Sequence, residues 1–171
     1  MNSRHKAFFF DRDGVINYDD GYTSRIEDFI FVDGIFDVMR TLAAKGYLLI
    51  IITNQSGIGR NYYTEEDFKK LNAWMLRRFE AEQVKISGVY YCPHSPEANC
   101  DCRKPAPGML LQAIHEHSVA PECSWMIGDK ESDMRAAGAA GIPNRVLIGA
   151  AESVHNTHKI LNIKELLNLP V

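Results

Sequence analysis

Short apolar runs alternate with amphipathic segments along this chain, and this alternation limits its fold more than any other feature. Five runs are predicted to be strands: Ala7–Phe10, Tyr47–Thr53, Gly88–Cys92, Ser124–Gly128 and Arg145–Ile148. Each is short and mostly apolar, which is typical of strands buried on both faces of a parallel sheet. Helices are predicted at Ile35–Lys45, from Thr64 onward, from Pro107 to about His117, at Ser132–Gly138 and at Ile163–Leu169. The pattern predicts an α/β fold, with a Rossmann-like parallel sheet between two layers of helices.

Size and composition indicate an ordinary globular protein. The 171 residues predict a single domain, residues 1–171, and no insert is long enough for a large cap domain. No apolar run approaches the length of a membrane span, and Ala7–Phe10 is too short for the core of a signal peptide, so a cytoplasmic location is expected. The net charge of −3 indicates neither a nucleic acid partner nor a membrane surface.

The first predicted strand ends in two carboxylates, Asp11 and Asp13, followed by Gly14. The carboxyl edge of a parallel sheet is where α/β proteins build their sites. Side chains two positions apart on an extended chain point the same way, with Arg12 pointing elsewhere, and two close acids need a cation. We expect phosphoryl transfer, with one aspartate as nucleophile and the other as proton carrier. A lone D-x-D-G segment would more often be a capped turn, and the motifs that follow favour a site instead.

The second predicted strand ends in Thr53 and is followed by Asn54, Gln55 and Ser56. A hydroxyl and free backbone N–H groups at a strand end can cradle a phosphate. We therefore predict that this segment binds substrate, although an ordinary polar loop would have a similar composition.

Two later segments supply charges of both signs. The side chains of Arg103 and Lys104 suit an oxyanion and a phosphoryl oxygen, although most basic pairs are simply solvated. Asp129 ends the fourth predicted strand, where it could bind Mg²⁺ together with Asp11. Asp133 lies one helical turn further on and could either support that site or cap the helix.

These four motifs, each at the end of a predicted strand, resemble those of the haloacid dehalogenase (HAD) superfamily of phosphohydrolases, over nearly the whole chain. The resemblance implies a HAD-like fold in which Asp11 attacks phosphorus and forms an aspartyl-phosphate. It implies that Asp13 protonates the leaving oxygen and then activates water, while Thr53 and Lys104 hold the phosphoryl group. Catalytic Mg²⁺ would lie between the Asp11 carboxylate, the Asp13 backbone carbonyl and Asp129.

Three of the four cysteines lie close together, in a C-x-H-x₅-C-x-C pattern. The predicted ligands are Cys92, His94, Cys100 and Cys102. Three thiols and one imidazole suit a closed tetrahedral Zn²⁺ site, and such clustering in a cytosolic chain favours metal over disulfides. We predict a structural zinc loop at residues 92–102 that positions the following Arg103 and Lys104.

Within the superfamily, the zinc loop and motifs look like two groups, the heptose-bisphosphate phosphatases and the histidinol-phosphate phosphatases. The first is favoured by residues 19–22, 31–34 and 104–110, although that group usually has His-Gly-Tyr where this chain has Asp-Gly-Tyr at 20–22. It implies removal of the 7-phosphate from a small phosphorylated sugar by a monomer, in nucleotide-activated heptose (lipopolysaccharide core) biosynthesis. The predicted substrate-binding residues are Asp19, Asp20, Gly21, Tyr22, Asn54, Gln55, Ser56, Arg103 and Lys130, the last two for the second phosphate.

Three other functions remain open at this point. A phospho-accepting receiver domain also combines Asp, Thr and Lys on a similar sheet, but it does not usually carry an acid two residues after the nucleophile, as Asp13 is here. A zinc-held binding module would have no phosphatase activity. A DNA-end phosphatase shares the first motif, but the acidic net charge argues against it.

Overall fold

A computed structural model describes residues 4–171, and residues 1–3 of the basic N-terminal segment lie outside the described part. Six strands form one sheet: β1 Ala7–Phe10, β2 Leu48–Asn54, β3 Gly88–Cys92, β4 Trp125–Gly128, β5 Asn144–Ile148 and β6 His158–Ile160. The strands lie in the order β3-β2-β1-β4-β5-β6, and every neighbouring pair is parallel. The predicted parallel sheet is confirmed.

The helices connect the strands. They are α1 Ile35–Ala44, α2 Ser56–Gly59, α3 Glu65–Ala81, α4 Gly108–Glu116 and α5 Glu131–Ala139, with 3₁₀ turns at Pro96–Ala98, Pro121–Cys123 and Ile163–Asn168. The ends predicted for the five strands and for α1, α4 and α5 agree within one residue. The short helix α2 and the strand β6 were not predicted, and the last predicted helix is a 3₁₀ turn.

Two hydrophobic clusters cover the two faces of the sheet. Because strand side chains alternate between faces, Phe8 and Phe10 enter one cluster while Ala7 and Phe9 enter the other. The first cluster contains buried residues of α1, α3 and the Ile163–Asn168 turn, and the second contains those of α4 and α5. The strands are therefore buried on both faces, which explains their continuous apolar runs.

The strand order places a topological switch point between β1 and β4. The chain leaves β1 toward β2 on one side, and β4 returns on the other side of β1. The loops that follow these strands diverge and leave a crevice at the carboxyl edge, where open α/β sheets bind ligands. Between residues 4 and 171, no large cap domain is inserted, and no helix is both long and apolar enough to cross a membrane.

Candidate active site

A cavity of about 470 Å³ opens at the carboxyl ends of β1 and β2. Most of the predicted site residues line it: Asp11, Asp13, Asp19, Gly21, Tyr22, Asn54, Gln55, Ser56, Arg103, Lys104 and Lys130. Tyr63, Ser132 and Asp133 also line it, although the sequence did not identify them as substrate contacts. The fold thus brings the four sequence motifs to one cavity.

Three carboxylates form an acidic cluster at this cavity. Oxygens of Asp11, Asp129 and Asp133 lie within 4.8 Å of one another, and Asp11 and Asp133 are buried. Gly14 has a φ of 88° and lies so close to the Asp129 carboxylate that a Cβ at this position would overlap it. The buried Oδ1 of Asp129 has no hydrogen-bond partner. Oxygen ligands of this kind suit a hard divalent cation, so the donor set fits Mg²⁺.

The buried ammonium of Lys104 neutralises part of this cluster. Its Nζ lies 2.8 Å from Oδ1 of Asp11 and 2.6 Å from Oδ1 of Asp133, and it donates to the Ile52 carbonyl at 2.8 Å. The backbone of Lys104 is also held, because the Asn54 side chain accepts from its N–H at 3.1 Å and donates to its carbonyl at 3.1 Å. Asn54 therefore acts on the lysine through the main chain.

The carboxylates outnumber the cations in this cluster, and the pKa values of Asp11 and Asp129 reflect it. Burial raises the pKa of Asp11 despite the opposing effect of Lys104. Burial, followed by repulsion from the Asp11 carboxylate, raises the pKa of Asp129 to about 7. The Nζ atom of Lys130 lies 3.7 Å from Asp129 at the cavity mouth. Because the Lys130 side chain is 57% exposed, water screens its charge and it does not fully neutralise the carboxylates. A bound cation would remove this excess of negative charge.

Asp13 lies outside the acidic cluster and is held by side-chain donors. Arg12 Nη2 donates to both of its carboxylate oxygens, at 2.9 and 3.1 Å, and also to the Thr23 carbonyl at 2.9 Å. The amides of Asn17 and Gln55 donate to Asp13 at 3.0 Å each. The expectation that Arg12 points away from the aspartates was wrong, because its buried guanidinium turns back onto Asp13.

Gln55 connects Asp13 to Thr53. Its Nε2 donates to Thr53 Oγ1 at 2.9 Å, and its Oε1 accepts from the Tyr63 hydroxyl at 2.6 Å. Burial raises the pKa of Tyr63 to about 12, so this hydroxyl is a protonated donor at neutral pH. Gln55 and Thr53 are both buried. The side-chain polar atoms of Gln55 are therefore occupied by protein partners rather than open to substrate.

The mouth of the cavity carries the remaining predicted residues. Lys130 Nζ lies 3.3 Å from Asp19 Oδ2, and the exposed ring of Tyr22 lines the opening. Nη1 of Arg103 is buried without a hydrogen-bond partner, which leaves a cationic donor available to an anion. Asp20, which was predicted to bind substrate, does not line the cavity. Its carboxylate accepts a hydrogen bond from the Thr23 hydroxyl at 3.0 Å.

The predicted zinc ligands come together at the end of β3. The Sγ atoms of Cys92, Cys100 and Cys102 lie 3.1 to 3.5 Å apart, and Nδ1 of His94 lies 3.3 Å from Cys102. A tetrahedron with Zn–S bonds of about 2.3 Å has edges of roughly 3.8 Å, so a small outward shift would admit the ion. The four side chains therefore fit a closed metal site.

Comparisons with known proteins identify the family. The HAD-hydrolase-like family profile matches residues 101–157. A D-glycero-β-D-manno-heptose-1,7-bisphosphate 7-phosphatase of Helicobacter pylori is 44% identical over 171 residues and is covered, like this chain, to 98%. The chain belongs to the heptose-1,7-bisphosphate 7-phosphatase family. A D-glycero-α-D-manno-heptose-1,7-bisphosphate 7-phosphatase of Burkholderia mallei is 47% identical, over 85% of this chain and 80% of its own.

The structural comparison agrees with this assignment. The D,D-heptose 1,7-bisphosphate phosphatase from B. bronchiseptica, complexed with magnesium and phosphate, matches with a TM-score of 0.84 and 25% identity, over 95% of this chain and 98% of that one. The HAD-like fold, the phosphatase class and the favoured group of the superfamily are thereby confirmed.

The sequence did not predict the roles of three polar residues around this heptose-bisphosphate phosphatase site. Arg12, Asn17 and Tyr63 act on it through hydrogen bonds to Asp13 or Gln55. Asp133 was predicted either to support the metal site or to cap the helix, and it lies in the acidic cluster and also closes the first turn of α5. No local pattern marks Tyr63, because its partner Gln55 lies eight residues away, across the short helix α2.

Proposed function

We propose that this chain is a Mg²⁺-dependent phosphatase that removes the 7-phosphate of D-glycero-D-manno-heptose 1,7-bisphosphate and leaves heptose 1-phosphate, as part of nucleotide-activated heptose biosynthesis. The observation that carries the proposal is the buried Asp11 carboxylate, which lines the cavity within an incompletely neutralised acidic cluster. The relatives from H. pylori and B. mallei, both heptose-1,7-bisphosphate 7-phosphatases, support the same substrate class.

The residues support a two-step transfer. Asp11 attacks phosphorus in line, the bond from phosphorus to the sugar oxygen breaks, and Asp13 gives its proton to that leaving oxygen. Asp13 then takes a proton from water as the water attacks the aspartyl-phosphate. The bond between phosphorus and Asp11 breaks, so inorganic phosphate and the free carboxylate are released. Thr53 and Lys104 hold the phosphoryl oxygens, and Arg12 and Asn17 orient Asp13.

Both metals would act through residues already described. Asp11, Asp129 and the Asp13 backbone carbonyl would hold Mg²⁺, and Asp133 would support them through its contact with Lys104. When bound, the ion offsets the repulsion between an anionic nucleophile and an anionic phosphate. Its presence with phosphate in the B. bronchiseptica structure supports this choice of ion. The Cys92–Cys102 cluster would hold a structural Zn²⁺ with no open position.

Two cations at the mouth suit the second phosphate of a bisphosphate. Arg103 contributes a buried donor without a partner, and Lys130 contributes an ammonium that is 57% exposed. We assign both to the phosphate that stays on the sugar, because Lys104 already lies against Asp11.

A substrate panel in Mg²⁺ tests the function. It contains the α- and β-anomers of heptose 1,7-bisphosphate together with histidinol phosphate. We expect the highest kcat/KM for a heptose bisphosphate, loss of at least about 100-fold in Asp11→Asn, and a larger loss in Arg103→Ala on the bisphosphate than on a monophosphate.

The control is Asp37→Asn, an exposed aspartate of α1 that pairs with Arg40 on the surface. It should keep wild-type rates. A preference for histidinol phosphate would contradict the proposed substrate, and a stable phosphoenzyme without turnover would favour a receiver domain instead.

A further inference from the structure

We propose that Tyr63 is a positioning residue that acts through Gln55 to hold the Asp13 carboxylate in its reactive arrangement. The inference rests on the acid–base role of Asp13 in the proposed function, but not on the identity of the sugar. It adds a residue that the sequence motifs did not include.

The hydrogen bonds run in one direction from the tyrosine to the reacting groups. Tyr63 donates to Gln55 Oε1 at 2.6 Å, and the two N–H groups of Gln55 Nε2 donate to Asp13 Oδ2 at 3.0 Å and Thr53 Oγ1 at 2.9 Å. The Gln55 side chain therefore has a partner on each of its polar atoms. The position of Asp13 depends on this amide, whereas Thr53 is also held by the pairing of β2 with β3.

The two oxygens of Asp13 have different partners, and this makes the amide important. Oδ1 is held by Arg12 Nε, Arg12 Nη2 and the Asn17 amide. Oδ2 receives the longer contact from Arg12, at 3.1 Å, and the bond from Gln55. Oδ2 therefore has two partners, Arg12 and Gln55. Of these, Gln55 is held in turn by Tyr63, which lines the cavity.

Packing fixes the tyrosine in turn. A Cβ on Gly57 would overlap the Tyr63 ring, so the ring lies directly against the backbone of α2. The Gln55 backbone N–H donates to the Cys92 carbonyl at the end of β3, at 2.8 Å. The Gln55 end of the Tyr63–Gln55 bond is therefore anchored to β3, and the Tyr63 end is packed against α2.

Removal of the Tyr63 hydroxyl should disturb the proton carrier selectively. In Tyr63→Phe the buried Oε1 of Gln55 loses its protein partner, so the amide is no longer held in the orientation that donates to Asp13. The consequence is a misplaced general acid with substrate binding intact, since Asp13 protonates the leaving oxygen.

The experiment compares two leaving groups. We expect Tyr63→Phe to lower kcat/KM about ten-fold for an alkyl phosphate but less than about two-fold for p-nitrophenyl phosphate, whose leaving group needs little protonation. KM for the alkyl phosphate should change less than about two-fold. The matched control is Tyr90→Phe, which removes one hydroxyl bond, to Glu116 at 2.5 Å, from a half-buried tyrosine on β3 that does not line this cavity.

An equal loss on both substrates, or a loss no greater than that of Tyr90→Phe, would overturn the inference. If Tyr63→Phe does not fold, Gln55→Met removes the same connection and should show the same selectivity. Where both fold, the double variant should lose no more than Gln55→Met alone, and multiplied losses would count against the connection. If the wild-type protein hydrolyses alkyl phosphates but does not hydrolyse heptose bisphosphate, only the proposed substrate is contradicted.

Discussion

Asp133 serves two parts of the structure with one carboxylate. Its Oδ2 accepts from the Lys130 backbone N–H at 3.1 Å and closes the first turn of α5. Its Oδ1 lies 2.6 Å from the Lys104 ammonium. Because Lys104 also contacts Asp11, a helix start is linked directly to the predicted nucleophile. At the scale of single residues, any substitution of Asp133 would therefore affect both the candidate active site and the start of α5.

The raised pKa of Asp129 predicts a pH dependence of the metal-free protein. Its folded pKa of about 7 lies above the usual value of 3.8, so its contribution to stability is fully present below about pH 4 and is lost as pH rises through about 7. Without Mg²⁺, the free energy of unfolding of wild type should fall over this range relative to that of Asp129→Asn.

Urea unfolding at several pH values, with and without Mg²⁺, measures this difference. Protonation of the zinc ligands at low pH affects both proteins equally and cancels in the comparison. Added Mg²⁺ should remove the loss in wild type. Parallel pH profiles for the two metal-free proteins would show that the acidic cluster is not strained by its charge.

At the scale of elements, the start of α3 lies beside the site. Thr64 and Asp67 form a capping box, with the Thr64 hydroxyl accepting from the Asp67 N–H at 3.1 Å and the Asp67 carboxylate accepting from the Thr64 N–H at 2.9 Å. Tyr63 directly precedes this cap. The cap therefore fixes both the helix and the backbone that carries the positioning tyrosine.

Thr64→Ala should lower the free energy of unfolding by about 1 kcal/mol, the usual effect of losing a cap. Because the first turn of α3 then frays, the position of Tyr63 should also loosen and kcat should fall. Thermal or urea unfolding together with steady-state kinetics measures both effects. Thr64→Ser keeps the hydroxyl and serves as the control, and equal stability of the Ala and Ser variants would contradict the role of the cap.

At the scale of the whole molecule, the cysteine cluster connects the edge strand β3 to the catalytic cations. Cys92 ends β3, and Cys102 directly precedes Arg103 and Lys104. The Asn54 side chain, at the end of β2, holds the Lys104 backbone from the opposite direction. The segment between β3 and α4 is therefore anchored at the Cys92–Cys102 cluster and at Lys104, and we propose that a metal bound by the cluster would act on the chemistry by positioning.

Replacement of both Cys100 and Cys102 by serine should abolish zinc binding, lower Tm and reduce kcat/KM, because the cations lose their support. Metal analysis should find about one zinc per chain in wild type and none in the variant. Cys123→Ser is the control, since this exposed thiol lies outside the cluster and should leave the zinc content unchanged. Full activity in a zinc-free protein would contradict the positioning role.

Sequence patterns predicted the elements well where burial was strong and poorly where it was weak. The strands β1 to β5 were recognisable because both of their faces are covered. Strand β6 was missed because it has three residues, and only Ile160 of them is fully buried. Its His158 forms a hydrogen bond of 2.9 Å with the Thr157 hydroxyl, and its ring lies against Trp125.

The sequence by itself determined the sheet, the strand-end motifs and the cluster of candidate metal ligands, because apolar periodicity and ligand spacing are local properties of the chain. Only the tertiary structure decided how the charges are shared. In the folded chain Asp133 pairs with Lys104, Arg12 donates to Asp13, and Tyr63 donates to Gln55. These contacts depend on how strands and helices meet at the topological switch point. Charged groups buried there need a partner of opposite charge, and the spacing of residues along the sequence does not encode which partner is near.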